Sequence, residues 1–249
     1  MGSRGNIQSS NLGDVCDRIR LRFNSRKAFH AQRLLAGKVV LDNGFTTIEK
    51  IGGLDLAYSR DRSLGVAVLA LIDFQTLELD KCYYSVARTC IPYIPGLLAF
   101  REMPPASLLL SRARKLGFMP SIIMVDGHGI AHPRKLGIAS HIGVVFDIPT
   151  IGVAKKRLVG IEQGDVVVDN ETGKVIARIV RRGKKKVYVS IGHKVSLATA
   201  VEIVEKTWIT GRLPLPTLVA DRYTKRLKEI LSRVEPGEFG ECRYNRLLE

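Results

Sequence analysis

Residues 121–156 read SIIMVDGHGIAHPRKLGIASHIGVVFDIPTIGVAKK. Ile122–Val125 is an unbroken apolar run that ends in a carboxylate, Asp126, and a glycine, Gly127. A strand buried on both faces reads this way. PTIGVAKK (149–156) is a second such strand, ending in Lys155 and Lys156. GIASHIGVVFD (137–147) between them suits a helix. Strand, helix and strand in succession predict parallel neighbours in an α/β sheet.

Upstream, Gly96–Met103 is expected to be a short helix stopped by Pro104 and Pro105. Those prolines can start a second helix, with Leu108, Leu109, Ala113 and Leu116 as its stripe. Before it, KIGGLDLAYS (50–59), LGVAVLALIDF (64–74) and LELDKCYYSVAR (77–88) read as three strands on short connections, hence an antiparallel meander. VCDRIRLRFNSRKAFHAQRLLAGKVVL (15–41) reads as a basic helix with Val15, Ile19 and Phe23 at helical spacing.

Downstream, residues 174–192 read as a hairpin whose tip is Arg181, Arg182, Gly183, Lys184, Lys185 and Lys186. Such a tip is either a solvated turn that discourages edge pairing or a phosphate contact. SLATAVEIVEKTWI (196–209) is a helix capped by Ser196. PTLVADRYTKRLKEIL (216–231) is another, capped by Thr217, with Val219, Tyr223, Leu227 and Ile230 buried. The whole is expected to be one domain, a mixed sheet with helices on its faces. A disordered lead (1–12) precedes the domain (13–235), and a tail (236–249) follows.

The chain has 249 residues, 45% of them apolar, enough for one sizeable core. It has no apolar run long enough to span a bilayer and no signal-peptide core near the start. Thirty-nine Lys and Arg stand against 24 Asp and Glu, a formal charge of +15. That balance favours a polyanionic partner, nucleic acid before membrane. Cys16, Cys82, Cys90 and Cys242 are scattered without metal-site spacing. Reduced thiols in a cytoplasmic protein are therefore expected. Few Asn and Gln among many charges hint at a thermophile.

Two acids occupy costly positions. Asp55 interrupts the apolar strand GLDLA, and Asp126 ends a buried one. Buried carboxylates must be paired or bound to a cation. Two of them on adjacent strands make a hard-oxygen site suited to Mg²⁺, of use for activating water and stabilising a leaving phosphate oxygen. Glu102, on the helix after the corner PYIP (92–95), is a candidate third ligand. Lys155 and Asp126 end strands at the sheet edge where α/β ligands gather. His128 and His132 follow Asp126, and glycines beside His128 permit a close approach to backbone. Asp221, read in the first turn of its helix, is also favoured there by the helix dipole. Pro92 and Pro95 stiffen the segment holding Tyr93 and Ile94. That segment is either a structural corner around a core tyrosine or an aromatic wedge held toward a partner.

The blocks GGLDLAYS, PYIPGLLAFRE, VDGHGIAHPRKLGIASHIGV, TIGVAKKRL and LPTLVADR resemble the motif blocks of the endonuclease V family, in that family's order, over about residues 30–233. The resemblance implies a ribonuclease H-like fold and Mg²⁺-dependent cleavage of deaminated nucleic acid, with Mn²⁺ expected to substitute. It implies hypoxanthine as the favoured lesion and a cut one nucleotide to its 3′ side, leaving 3′-hydroxyl and 5′-phosphate ends, in DNA repair. It assigns Asp55, Asp126 and Glu102 to metal and catalysis, His132 and Lys155 to catalysis, and Asp221 to catalysis near the metal. Pro92, Tyr93, Ile94 and Pro95 would form the wedge. Gly96, Leu98, Gly127 and Ile138 would line the base pocket. Ile191 stands where the family usually has proline, which lowers the weight on His193. A monomer is expected. The rival readings are an inosine-specific ribonuclease acting mainly on RNA, a ribonuclease H-type hybrid nuclease, and a basic nucleic-acid reader without catalysis.

Overall fold

In a computed structural model describing residues 10–59 and 63–242, β4 (Ile122–Asp126) and β5 (Thr150–Ala154) are parallel neighbours joined through α4 (Ile138–Phe146). The meander is also present. β1 (Lys50–Tyr58), β2 (Leu64–Asp73) and β3 (Leu79–Arg88) pair antiparallel in sequence order. β1 then lies parallel to β4. On the other side of β5 come β6 (Ile161–Gln163), β7 (Val166–Val168), β8 (Val175–Arg182) and β9 (Lys185–His193). β10 (Phe239–Glu241) adds to the free side of β3, so part of the segment read as a tail belongs to the sheet. The described strands form one sheet in the order β10-β3-β2-β1-β4-β5-β9-β8-β7-β6.

Helices cover both faces. α5 (Leu197–Thr207) and α6 (Leu215–Ile230) enclose one core, in which Val68, Met124, Val153, Trp208 and Tyr223 meet. α3 (Leu98–Leu116) and α4 enclose the other, around Leu54, Leu69, Leu109, Val125 and Ile142. Two cores with a continuous sheet between them are what the unalternating strands β2, β4 and β5 require.

Several local expectations are corrected. The basic N-terminal stretch is two helices, α1 (Ser10–Arg22) and α2 (Ser25–Ala36). Asn24 separates them because its side chain caps α2, accepting from the Lys27 amide at 3.0 Å. Ile19 is exposed, Phe23 packs edge-on to Phe100, and the side chain of Val15 lies outside the described residues. So do residues 1–9 of the expected lead and 243–249 of the tail; residues 10–12 open α1.

Pro104 and Pro105 do not end a helix but lie inside α3. Proline in a helix interior costs about 3 kcal/mol. Here it is held by packing: Pro105 is buried, and its carbonyl accepts from Ser85 Oγ at 2.7 Å. α6 begins at Leu215, so Thr217 is interior, Asp221 falls in the second turn, and Ile230 is exposed. Ser196 caps α5 as expected, accepting from the Thr199 amide. The expectation of reduced thiols fails for Cys16 and Cys90. A disulfide links them, binding α1 to the segment before Pro92. Seventy-four residues of sequence separation hide that proximity. Cys82 and Cys242 face each other across β3 and the end of β10, with sulfurs 2.7 Å apart.

One glycine sets how closely α6 approaches the sheet. A Cβ built on Gly53 of β1 would lie 1.9 Å from the Pro216 carbonyl oxygen. Backbone of a helix start cannot yield as a side chain does. Gly53→Ala is therefore expected to destabilise the fold by roughly 3 kcal/mol, at the upper end of overpacking costs. Urea unfolding reads this directly; an unchanged midpoint would mean that α6 moves aside freely.

Candidate active site

The register of β1 on β4 builds the centre of the site. Leu54 pairs with Val125, and both point into the core under α3 and α4. The next residues, Asp55 and Asp126, are thus side by side on the opposite face, beneath α6. Because Gly53 lets α6 sit close, its residues reach them. Carboxylate oxygens of Asp55, Asp126 and Asp221 all lie within 4.8 Å of one another, close enough to share a cation. The Thr224 hydroxyl, one helical turn after Asp221, donates to Asp55. Lys155 follows β5 and reaches across, its Nζ 2.5 Å from Asp126 Oδ2 and 3.0 Å from Asp221 Oδ1. Asp221 also binds Arg212 and Lys225. Asp221 joins the two strand aspartates in this cluster, and Glu102 lies near enough that the charges of Asp55 and Asp126 act on its carboxyl.

The electrostatics separate these acids. Burial, then the charge of Asp126, pushes the Asp55 carboxyl up to about 7, against the Thr224 bond and Lys155. Burial, then Asp55 and Asp126, pushes Glu102 up to about 8. Asp126 is also raised, mainly by burial, although Lys155 opposes this. Burial works to raise Asp221 too, but Lys225, Lys155 and Arg212 hold it below the usual carboxylate range. Like charges crowded in a poorly solvated site raise one another's pKa. The donor set is therefore all oxygen, partly unneutralised by protein cations, and fits a hard divalent ion. Lys155 remains protonated; burial works to lower its pKa, but Asp126 and Asp221 hold it above the ordinary lysine value.

Tyr93 is not a core residue. It is 56% exposed and lines a cleft of about 850 Å³ together with Asp55, Leu98, Lys155 and Asp221. Pro92 and Pro95 are exposed and Ile94 half-buried. The corner is fixed at several points. Arg101, buried beneath it, donates to the Ile91 carbonyl at 3.0 Å. Gly96 turns the chain into α3 with φ +76°, a left-handed conformation natural to glycine. Its carbonyl accepts from Gln32 Nε2 at 3.0 Å and Arg134 Nη2 at 2.6 Å. Gln32 comes from α2, is fully buried, and binds Arg134 with its own oxygen.

His132 is buried and hydrogen-bonds the Gly96 backbone, so it stands beside the corner. Its Nδ1 accepts from the Arg134 amide at 3.2 Å. Burial, with the neighbouring Arg134 and His128, lowers its pKa to about 4, leaving the ring neutral. Gly127 and Ile138 are in contact; a Cβ on Gly127 would lie 2.5 Å from Ile138 Cγ2. His193 belongs elsewhere. It pairs with Thr150 at the start of β5, and its Nδ1 accepts from the Val40 amide.

Sequence reasoning missed Gln32, Arg101, Arg134, Arg212 and Thr224. Thr224 had a signal, since it lies three residues after Asp221 on a helix and so shares its face. Gln32 had none: a glutamine on a basic helix shows its partners only when the chain is folded.

A family model described as Endonuclease V matches residues 33–222. Endonuclease V of Ignicoccus hospitalis is 46% identical over 215 residues, covering 85% of this chain and 99% of that protein. The crystal structure of endonuclease V from Streptomyces avermitilis is 33% identical with TM-score 0.73, covering 84% of this chain and 95% of that one. A Ciona intestinalis endonuclease V, solved in complex with a 23mer DNA containing an inosine followed by a ribo-adenosine, is 28% identical with TM-score 0.73, covering 83% and 97%. The mixed sheet is accordingly a ribonuclease H-like fold. Because the family model matches residues 33–222, which include Asp55, Asp126 and Asp221, and the Ignicoccus hospitalis protein is 46% identical over 85% of this chain, the chain belongs to the endonuclease V family of nucleases.

Proposed function

We propose that the protein is a divalent-metal-dependent endonuclease that recognises hypoxanthine in DNA and hydrolyses a phosphodiester on the 3′ side of the lesion, leaving 3′-hydroxyl and 5′-phosphate ends. The observation that carries this reading is one cleft holding an exposed tyrosine on a braced corner beside three clustered carboxylates. The Ciona protein's inosine-containing DNA supports the choice of lesion.

Asp55, Asp126 and Asp221 would hold the metal, with Mg²⁺ the first choice and Mn²⁺ an alternative, and Glu102 nearby. When bound, the ion supplies Lewis-acid stabilisation of the leaving oxygen and a more acidic water. Lys155 places a positive charge beside the same carboxylates, suited to a phosphate oxygen. Glu102, kept near pKa 8, can hold or release a proton near neutral pH. Tyr93 fills the gap left in the stack by an extruded base. Gly96, Leu98, Gly127 and Ile138 take that base, with backbone N–H and C=O groups matching the 6-oxo and N1–H of hypoxanthine. Adenine would face both groups with the wrong partner, at about 1–3 kcal/mol for each unmatched buried group. All these residues come from one chain, so a monomer carries a whole site. No described helix is long and apolar enough to cross a membrane.

Cleavage assays with purified protein and Mg²⁺ test the reading. Strands carrying inosine, inosine followed by a ribonucleotide, adenosine, and a uniform RNA–DNA hybrid are compared. Nicking of the inosine DNA strand alone or best supports the proposal. Preference for the ribonucleotide-bearing strand shifts the substrate to RNA, and equal cutting of the hybrid removes the lesion role.

The metal assignment has its own readout. Asp55 and Glu102 have folded-state pKa values of about 7 and 8, above the ordinary carboxylate value near 4. Their neutral forms therefore favour the fold. That contribution is complete below pH ~4 and is lost as pH rises through about 7 to 8. A cation at the site favours the ionised forms instead. Mg²⁺ at ~100 times its Kd should raise the thermal midpoint by roughly 5–10 °C at pH 8, and by much less at pH 5. Equal shifts at both pH values in thermal unfolding would count against these carboxylates as ligands.

A further inference from the structure

The hairpin tip between β8 and β9 concentrates positive charge. Arg181 pairs with Lys186 and Arg182 with Lys185, directly across the strands. Like charges so placed destabilise a hairpin. Lysines also discourage edge pairing, and beyond Arg178 on β8 and Tyr188 on β9 the tip has no strand on either outer side among the described residues; that role asks for charge at the edge but not for its alignment with the cleft. Neighbouring cations have acidic partners: Lys186 binds Glu162, and Arg178 binds Asp165. Among the described residues no acid pairs with Arg181, Arg182, Lys184 or Lys185, and all four are exposed.

The sheet register aims part of this tip at the site. Val180, Val187 and Val189 lie in the core under α5 and α6, with Met124 and Val153. Alternation then puts Arg182 and Lys185 on the same sheet face as Asp126 and Lys155. They are also at the same end of the sheet. Asp126 is level with Val153 on β5, and so with Val189 on β9. Lys185 is four residues further out and two strands across. At about 3.4 Å per residue and about 4.8 Å per strand, its Cα is roughly 17 Å from that of Asp126.

We propose that Arg182 and Lys185 form a second phosphate-contact surface, which grips the nucleic-acid backbone about five base pairs from the scissile phosphate, at 3.4 Å of rise each. This rests on the nuclease reading above. The tip takes no part in the chemistry. It holds one arm of the duplex so that the lesion stays over the cleft, and it contributes sequence-independent, salt-sensitive affinity.

Binding of inosine-containing duplexes, measured by fluorescence anisotropy without divalent metal, tests this against salt. The Arg182→Gln/Lys185→Gln variant should lower the slope of log affinity against log salt by roughly 1.8, about 0.9 per lost contact, and Lys185→Gln alone by roughly 0.9. A charge-matched control, Arg112→Gln/Lys115→Gln on exposed positions of α3, should leave the slope unchanged. Shortening one arm, first the 5′ and then the 3′, to about three base pairs should remove the difference between wild type and tip variant on one side only. Cleavage at saturating protein should stay at the wild-type rate. A wild-type slope in the double variant, or an equal loss in the control, overturns the proposal, as does a difference that survives both truncations. If wild type fails to prefer inosine while the slope still falls, the lesion assignment fails and the contact surface stands.

Discussion

Asp126→Asn is expected to lower single-turnover cleavage of an inosine strand by about 10³-fold or more, in line with the loss of a preorganised electrostatic contact and a metal ligand together. The substitution keeps the shape of the strand end and removes one of three carboxylates within 4.8 Å. It also removes a partner of Lys155, which keeps its bond to Asp221. Binding should change only a few-fold, because affinity comes mainly from cation–phosphate contacts elsewhere on a chain of charge +15. Stability without metal should not fall. Asp126 is half-buried beside Asp55 and raises its pKa, so removing that charge relieves repulsion in the folded state. The combination of lost rate, retained binding and an undiminished thermal midpoint separates a catalytic carboxylate from a structural one. Near-wild-type cleavage with Mg²⁺ limiting would falsify the metal role of this residue.

Tyr93→Ala is expected to cost ten- to a hundred-fold in discrimination between inosine and undamaged strands, since stacking on a base is worth about 1–3 kcal/mol. The ring is 56% exposed, so its removal leaves no core cavity and should barely change stability. The corner beneath it is braced through Arg101, Gly96 and the Cys16–Cys90 disulfide. A tip already ordered loses little entropy on entering a duplex, and Tyr93→Phe should retain most of the effect. Parallel measurement of thermal midpoints and of Kd for inosine and control duplexes decides the matter. A much lower midpoint with unchanged discrimination would return Tyr93 to a structural role.

Much of this molecule is set by local pattern, and local pattern is legible in sequence. Apolar runs without alternation, such as Ile122–Val125, mark strands covered on both faces, and a helix between two of them leaves parallel pairing as the economical solution. Acids such as Asp55 and Asp126 within such runs stand out because an ionised group there needs a partner. The excess of cations is a matter of counting. Other features depend on residues far apart in the chain, and only tertiary structure decides them. The close seat of α6 on Gly53 puts Asp221 with the two strand aspartates. Packing carries α3 through two prolines that local propensity would use to end it. Gln32 reaches Gly96 across sixty-four residues, and Cys16 reaches Cys90 across seventy-four. The physical reason is the same in each case. Periodicity and propensity act within a few residues, whereas contact between distant segments is fixed by how two cores close on one sheet.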